Sequence, residues 1–154
     1  MRQYVVIAPI ESISVGDIYA VESFPLHVTL VPPFVVRNDD QIAGVIAGAA
    51  AATSSFAIVG ESTSWFGVNR DIPVTLVSPE PSHTIHTMLI RKLATLGWTP
   101  LQDSYSGNGF VAHVSQTENS EFEVDARVTV EEFALVELSE AATVLSRYSL
   151  RSTR

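Results

Sequence analysis

Two short segments of the chain share one pattern, and that pattern limits how the chain can fold. The runs PLHVTLV and FVAHVS are apolar and strand-like, and in each a histidine is followed two residues later by a hydroxyl side chain. Side chains alternate faces along a strand, so His27 shares a face with Thr29, and His113 shares a face with Ser115. The intervening valines point the other way, into a core. The pattern predicts two strands that each present an imidazole and a hydroxyl on one face.

If the fold brings these strands together, they form a cleft the size of a phosphate group. Phosphodiester hydrolysis requires a base, an acid and donors for the phosphoryl oxygens. Histidine suits both proton-transfer roles because its ordinary pKa is about 6.5. We therefore interpret His27 and His113 as candidate catalytic residues, and Thr29 and Ser115 as candidate phosphate-binding residues. The competing interpretation is two partly buried, hydrogen-bonded histidines at strand ends.

The charge balance argues against a long polyanionic partner. The chain has 9 Lys and Arg against 17 Asp and Glu, which gives a formal net charge of −8. Binding to long nucleic acid depends on many cationic contacts with phosphates. A small phosphorylated ligand in a local pocket remains compatible with an acidic protein. We expect the partner to be a small nucleotide or a short oligonucleotide.

Length and composition predict one domain, residues 1–154. At 154 residues and 46% hydrophobic, the chain is long enough for one core and too short for two domains. It contains no cysteine, so disulfides, zinc–thiolate sites and cysteine nucleophiles are excluded. The apolar run 4–10 is too short for a signal peptide, and no run approaches the roughly 20 apolar residues of a membrane span. We expect a cytoplasmic monomer with no membrane partner.

Periodicity predicts two amphipathic helices among several strands. The first helix carries an apolar stripe at helical spacing and follows Asn38 and Gln41, which are placed as a capping box. Its stripe is Ile42, Val45, Ile46, Ala49 and Ala50. The second helix is predicted at about 83–96 and ends at Gly97. Its stripe is Ile85, Met88, Leu89, Leu93 and Leu96.

The strands are predicted around these helices, and residues 11–23 are predicted to be a loop. The predicted strands are 3–10, 26–31, 55–61, 72–78, 110–116, 121–129, 132–138 and 145–150. The second of these is expected to stop at Pro32 and Pro33. Helices and strands interleave without strict alternation, which favours the α+β class.

The two His-x-Thr/Ser motifs, with this order of elements, resemble the 2H phosphoesterase superfamily. That group includes bacterial 2′,5′-RNA ligase-like proteins and cyclic phosphodiesterases. The resemblance implies a bilobal fold of two βαβ-type lobes with antiparallel sheets around a central cleft. It also implies that the paired imidazoles act as general base and general acid, and that the hydroxyls hold the non-bridging oxygens. No metal or cofactor is implied. Ser115 departs from threonine but retains the hydroxyl donor.

On this interpretation the protein is a metal-independent phosphoesterase. It would hydrolyse a cyclic phosphate, or a 2′,5′ or 3′,5′ phosphodiester, of a small nucleotide or oligonucleotide. For the opening of a cyclic phosphate, the resemblance implies that His113 is the base and His27 the acid. One alternative is an enzyme that processes RNA ends bearing a 2′,3′-cyclic phosphate. Another is a non-catalytic nucleotide-binding module.

Further residues are candidates for ligand contact. Aromatic side chains in loops and strands could stack on a base, or could instead cover the edge of the core. These candidates are Tyr4, Trp65, Phe66 and Tyr105. His83 and His86 stand three residues apart at the start of the second helix. That spacing suits a metal ion, but it also suits a helix start in solvent.

Overall fold

The computed structural model of the protein describes residues 1–102, 105–118 and 120–152. Ten strands and two α-helices are formed within these ranges. The strands are β1 (Gln3–Pro9), β2 (Ile18–Tyr19), β3 (His27–Val35), β4 (Phe56–Phe66), β5 (Ile72–Val77), β6 (Thr99–Pro100), β7 (His113–Ser115), β8 (Arg127–Val130), β9 (Glu132–Leu138) and β10 (Ala142–Ser149). The helices are α1 (Ile42–Ala51) and α2 (Ser82–Ala94).

All ten strands join one antiparallel sheet in the order β2-β10-β9-β1-β3-β7-β5-β4-β8, with β6 also paired to β3. The two motif strands, β3 and β7, are neighbours at its centre. The sheet is curled, and with its two helices it confirms the predicted α+β class. The motif strands are far apart in sequence, so only the sheet topology brings them together.

Both helices pack on one face of the sheet. Helix α1 contacts β9 and β10, helix α2 contacts β3, and the helices also contact each other. The main apolar core lies here and takes in most of both predicted stripes. The buried stripe residues are Ile42, Ile46, Ala49, Ala50, Ile85, Leu89, Leu93 and Leu96. Helical periodicity therefore identified the correct buried faces.

A second apolar cluster lies on the opposite face of the sheet. Ile13 and Phe24, from the segment between β1 and β3, pack there against residues of β1, β9 and β10. Ile7 of β1 belongs to this cluster and pairs with Thr29 of β3. The cluster therefore borders the face on which the motif side chains lie.

The prediction that β3 stops at Pro32 and Pro33 was wrong, because the strand continues to Val35. The pairing with β1 shifts register between Tyr4 opposite Phe34 and Val6 opposite Val31. Proline has no N–H to donate to a ladder, and such an irregularity is where a strand can accommodate it.

Two other local predictions were wrong. Asn38 precedes a short 3-10 helix, and its side chain makes no capping hydrogen bond, so there is no capping box. The strand predicted at 121–129 begins only at Arg127. Before it the chain turns, with Asp125 in the left-handed region at φ +70° and the Phe122 carbonyl accepting a hydrogen bond from Thr75. This turn depends on contacts between residues far apart in the chain, so the periodicity of the sequence does not predict it.

Neither helix of the described chain has the length and apolar character that crossing a bilayer requires.

Candidate active site

The pairing of β3 with β7 arranges the two motifs crosswise. Val28 lies directly opposite Val114 in this antiparallel pair. The adjacent residues therefore pair as His27 with Ser115 and Thr29 with His113, all on one face. The two histidines are diagonal neighbours, and residues in this relationship lie about 7–8 Å apart. The four predicted side chains are thus brought together on one face of two neighbouring strands.

Burial follows the expected alternation along both strands. Val28 and Val114 are completely buried in the main core. The four motif side chains that alternate with them are all half-buried. A half-buried group is held by its surroundings yet remains reachable by a ligand.

Both imidazoles are oriented by the same backbone contact. His27 Nδ1 lies 2.8 Å from the carbonyl oxygen of Pro25, and His113 Nδ1 lies 2.8 Å from that of Val111. A carbonyl oxygen only accepts, so in each ring Nδ1 carries the hydrogen and Nε2 keeps its lone pair. Neither Nε2 atom bonds to another described residue. Two equivalent nitrogens are therefore available for proton transfer.

An aromatic ring packs against each histidine. Phe24 meets His27 edge-on, with ring centroids 5.1 Å apart, and Phe66 lies 4.5 Å from His113 at 60°. Phe24 is buried in the second apolar cluster, whereas Phe66 is half-buried near the end of β4. Sequence reasoning missed Phe24, because nothing local signals which ring a loop will place against a strand.

Burial lowers the pKa of both histidines, because a charged imidazole loses solvation in the site. The pKa of His27 is lowered further by the charge of His113. This repulsion is consistent with the two rings sharing one site. The repulsion is mutual, so it favours a pair that holds a single proton.

The surroundings of the four motif side chains are apolar. Neighbouring strands place Ile7 and Pro9 beside the first motif, and Val74 and Leu76 beside the second. The hydroxyls of Thr29 and Ser115 bond to no other described residue. Both are free to donate to a bound oxyanion, and the only cationic group that these strands supply is a protonated imidazole.

Tyr4 lies on the other face of the sheet, contrary to its proposed role in base stacking. Its ring is 2% exposed, belongs to the main core and packs on Phe34 with centroids 5.9 Å apart. Its hydroxyl donates to Asp39 Oδ2 at 2.8 Å. Burial and this carboxylate raise the pKa of Tyr4 to about 12. A ring in this position has no free face for a base.

The other aromatic candidates are exposed to different degrees. Phe66 contacts His113, but Trp65 precedes it on β4 and so points to the opposite face. Trp65 is 59% exposed and borders an open cavity of about 460 Å³ with Ser64 and Arg70. Tyr105 is 45% exposed and has no hydrogen bond or ring contact to a described residue. Of the four, Phe66 is the one in contact with the site.

The side chain of His86 lies in the protein interior. It is 1% exposed, and both ring nitrogens bond to backbone groups of Leu30 and Gly107. His83 packs its ring against Phe110 with centroids 5.0 Å apart.

Within the described ranges, no three His, Asp or Glu side chains cluster in a way that could hold a metal ion.

The fold and the paired motifs define the class of protein. The sequence profile of the 2′-5′ RNA ligase superfamily matches residues 5–116, which is more than half of the chain. The chain belongs to this superfamily, within the 2H phosphoesterases. No curated protein matches the chain at a significant level of sequence similarity.

Solved structures with the same fold extend over nearly the whole chain. A structure described as a phosphoesterase is 16% identical, with a TM-score of 0.63 over 97% of this chain and 98% of its own. The protein TT0787 of Thermus thermophilus is 17% identical, with a TM-score of 0.62 over 100% of both chains. LigT of E. coli bound to 3′-AMP is 14% identical, with a TM-score of 0.59 over 97% and 98%. At these identities the likeness shows the fold alone.

Proposed function

We propose that this protein is a metal-independent phosphoesterase that uses His27 and His113 as an acid–base pair. The substrate would be a cyclic phosphate, or a 2′,5′ or 3′,5′ phosphodiester, of a small nucleotide or oligonucleotide. The observation that carries the proposal is the crosswise arrangement of the two motifs on one face of neighbouring strands. Each imidazole is oriented there by its own backbone carbonyl.

The chemistry follows from the two free Nε2 atoms. The neutral imidazole takes a proton from water, and the water oxygen forms a bond to phosphorus. The bond from phosphorus to the leaving oxygen breaks, and that oxygen takes a proton from the charged imidazole. Thr29 and Ser115 donate to the non-bridging oxygens, where negative charge accumulates. The pair holds one proton before and after the step.

Electrostatic repulsion favours a pair that holds one proton, since a charge on His113 lowers the pKa of His27 and the repulsion is mutual. For the opening of a cyclic phosphate, the family resemblance makes His113 the base and His27 the acid. Turning the substrate round in the cleft exchanges these roles.

A small substrate is supported by charge and by the comparisons. The chain carries a net charge of −8, which opposes binding to long nucleic acid. LigT of E. coli has been solved in complexes with 3′-AMP, NADP+ and ATP. Those nucleotides fit the substrate size that we propose for this chain.

A hydrolysis screen in excess EDTA tests the proposal. The panel contains 2′,3′-cyclic mononucleotides, 3′,5′-cyclic nucleotides and 2′,5′-linked and 3′,5′-linked dinucleotides, with the product phosphate position determined by 31P NMR. We expect turnover of at least one member in EDTA, and its loss in His113→Gln. Nucleotide binding without turnover would instead indicate a binding module. Activity lost in EDTA and restored by a divalent ion would indicate a metallo-hydrolase.

A further inference from the structure

His86 makes a buried connection between the two motif strands. Its Nδ1–H donates to the carbonyl oxygen of Leu30 at 2.7 Å, and its Nε2 accepts from the Gly107 N–H at 3.0 Å. Leu30 follows Thr29 on β3, and Gly107 begins the turn that leads into β7. The imidazole therefore joins the first motif strand to the segment that delivers the second motif.

The direct ladder between the motif strands is short. Strand β7 has three residues, and it pairs with β3 at one position, where Val28 lies opposite Val114. A short ladder by itself leaves the angle and separation of two strands weakly determined. Strand β7 is also paired with β5, and side-chain connections at the ends of the β3–β7 ladder help to hold the imidazoles at a fixed separation.

A second connection lies at the opposite end of the same strand pair. Glu11 Oε1 accepts from the Leu26 N–H at 2.7 Å, and Glu11 Oε2 accepts from the Ser120 hydroxyl at 3.2 Å. Leu26 precedes the first motif, and Ser120 lies in the loop after the second. The paired motifs are thus bracketed, by His86 near Thr29 and His113 and by Glu11 near His27 and Ser115.

The His86 ring also supports the approach to β7 by packing. It stacks on Phe110, with centroids 4.0 Å apart and planes 11° from parallel. Phe110 is 4% exposed and stands three residues before His113. A displacement of the His86 ring would therefore be passed to the strand that carries His113.

The connection requires a neutral imidazole. A protonated ring has N–H on both nitrogens and could not accept from Gly107. Burial lowers the pKa of His86, and the charge of nearby His83 lowers it further. Both effects favour the neutral ring that the connection requires.

We propose that His86 is a positioning residue that sets the separation of His27 and His113 by holding Gly107 and Phe110 against β3. This inference rests on the proposed function. His86 lies in the core and touches no reacting atom, so it acts through the second motif. It also explains why a histidine occupies a buried position beside Ile85 and Leu89 on the core-facing side of α2.

Three variants and a control separate positioning from simple stability. His86→Leu removes both hydrogen bonds, His86→Asn retains only the donor near Nδ1, and His86→Gln retains a donor and an acceptor. Leu93→Ala is the matched control, because it opens a cavity in the same helix without touching either connection. Kinetics are measured on the best substrate of the panel, with melting temperatures recorded alongside.

We expect kcat of His86→Leu to fall about 100-fold with KM changed by less than about threefold, since small displacements of catalytic groups cost about this much. His86→Gln should recover most of the loss, and His86→Asn should be intermediate. Leu93→Ala should melt at a lower temperature with kcat retained. An equal loss of kcat in Leu93→Ala, or no rescue by His86→Gln, would overturn the positioning role.

A second measurement does not depend on turnover. In 15N-histidine-labelled protein, NMR titration follows the rings of His27 and His113 directly. In His86→Leu or His86→Asn the pKa of His27 should rise, because the charge of His113 lies farther away, whereas Leu93→Ala should leave it unchanged. An unshifted His27 pKa in the His86 variants would overturn the inference. If no panel member is hydrolysed, the proposed function fails while this titration still decides the role of His86.

Discussion

His27 and Ser115 belong to different motifs yet lie directly across from each other on β3 and β7, because Val28 pairs with Val114. Thr29 and His113 face each other in the same way. Each corner of the site thus combines the imidazole of one motif with the hydroxyl of the other. A single phosphate bound here would contact both motifs at once, which makes the contributions of the four side chains interdependent.

His27→Ala and His113→Ala should each lower kcat by about 10²- to 10⁴-fold, the usual contribution of a positioned acid or base. The double variant should be little worse than either single variant, because the two groups act on one transition state. Steady-state kinetics on the best panel substrate measure both effects. Leu93→Ala is the control, since Leu93 is buried in α2 outside both motifs, and it should retain kcat.

A substrate with a good leaving group tests the separate roles. Such a leaving group needs no protonation, so it should rescue the variant that lacks the acid, which the family resemblance assigns as His27→Ala for a cyclic phosphate. His113→Ala should show less rescue. Equal rescue of both variants would contradict the assignment of distinct roles.

Thr29→Val and Ser115→Ala should each lower kcat/KM by roughly 10- to 150-fold. Each change removes one hydrogen bond to a charged oxygen, worth about 1.5–3 kcal/mol. Ser115→Thr is the control, because it keeps the hydroxyl at the same position of β7. Full activity in Ser115→Ala, with binding of inorganic phosphate unchanged, would place the phosphate elsewhere.

The pH profile of kcat/KM should be bell-shaped, with its maximum on the acidic side of the ordinary histidine pKa of about 6.5. Activity needs one imidazole neutral and one charged, and burial lowers the pKa of both. As pH falls, the acidic limb appears when the neutral imidazole is protonated. As pH rises, the alkaline limb appears when the charged imidazole loses its proton.

The pH at which kcat is maximal should be higher than the pH at which kcat/KM is maximal. A bound phosphate anion stabilises the charged imidazoles and so raises the pKa of the pair in the complex. Both limbs are properties of the pair and are not assigned to one residue without variants. A kcat/KM maximum well above pH 7 would contradict the lowered pKa values.

Tyr4→Phe should lower the free energy of unfolding by about 1–3 kcal/mol and leave kcat and KM within about twofold. The variant removes the hydroxyl that donates to Asp39 and leaves this carboxylate without its partner. Urea denaturation and steady-state kinetics measure the two effects. A large rise in KM with unchanged stability would restore the base-stacking role that the buried position of Tyr4 argues against.

Phe66→Ala should raise KM for a nucleotide substrate more than Trp65→Ala does. Phe66 packs against His113, whereas Trp65 points to the other face of β4. A stacked base is worth about 1–3 kcal/mol, which corresponds to roughly a 5- to 150-fold change in affinity. Phe66→Leu is the control for lost apolar volume. The reverse order of effects would assign base contact to Trp65 and its cavity.

What could be read from the sequence was the part governed by local periodicity. Alternation along a strand placed His27 with Thr29, and His113 with Ser115, on shared faces, because neighbouring side chains in a strand must point in opposite directions. Helical spacing likewise identified the buried stripes of α1 and α2. The α+β class followed from the order of these elements along the chain.

Tertiary structure alone decided what depends on contacts between distant segments. Only the pairing of β3 with β7 determined that His27 lies across from Ser115. Only the packing of β1 beneath the helices buried Tyr4. Only the meeting of β3 with residues 107–110 around α2 gave His86 its two backbone partners. The sequence by itself determined which side chains share a face of one strand, since that is set within two residues. Which strands become neighbours depends on how the whole core is buried, and a local sequence pattern does not predict that pairing.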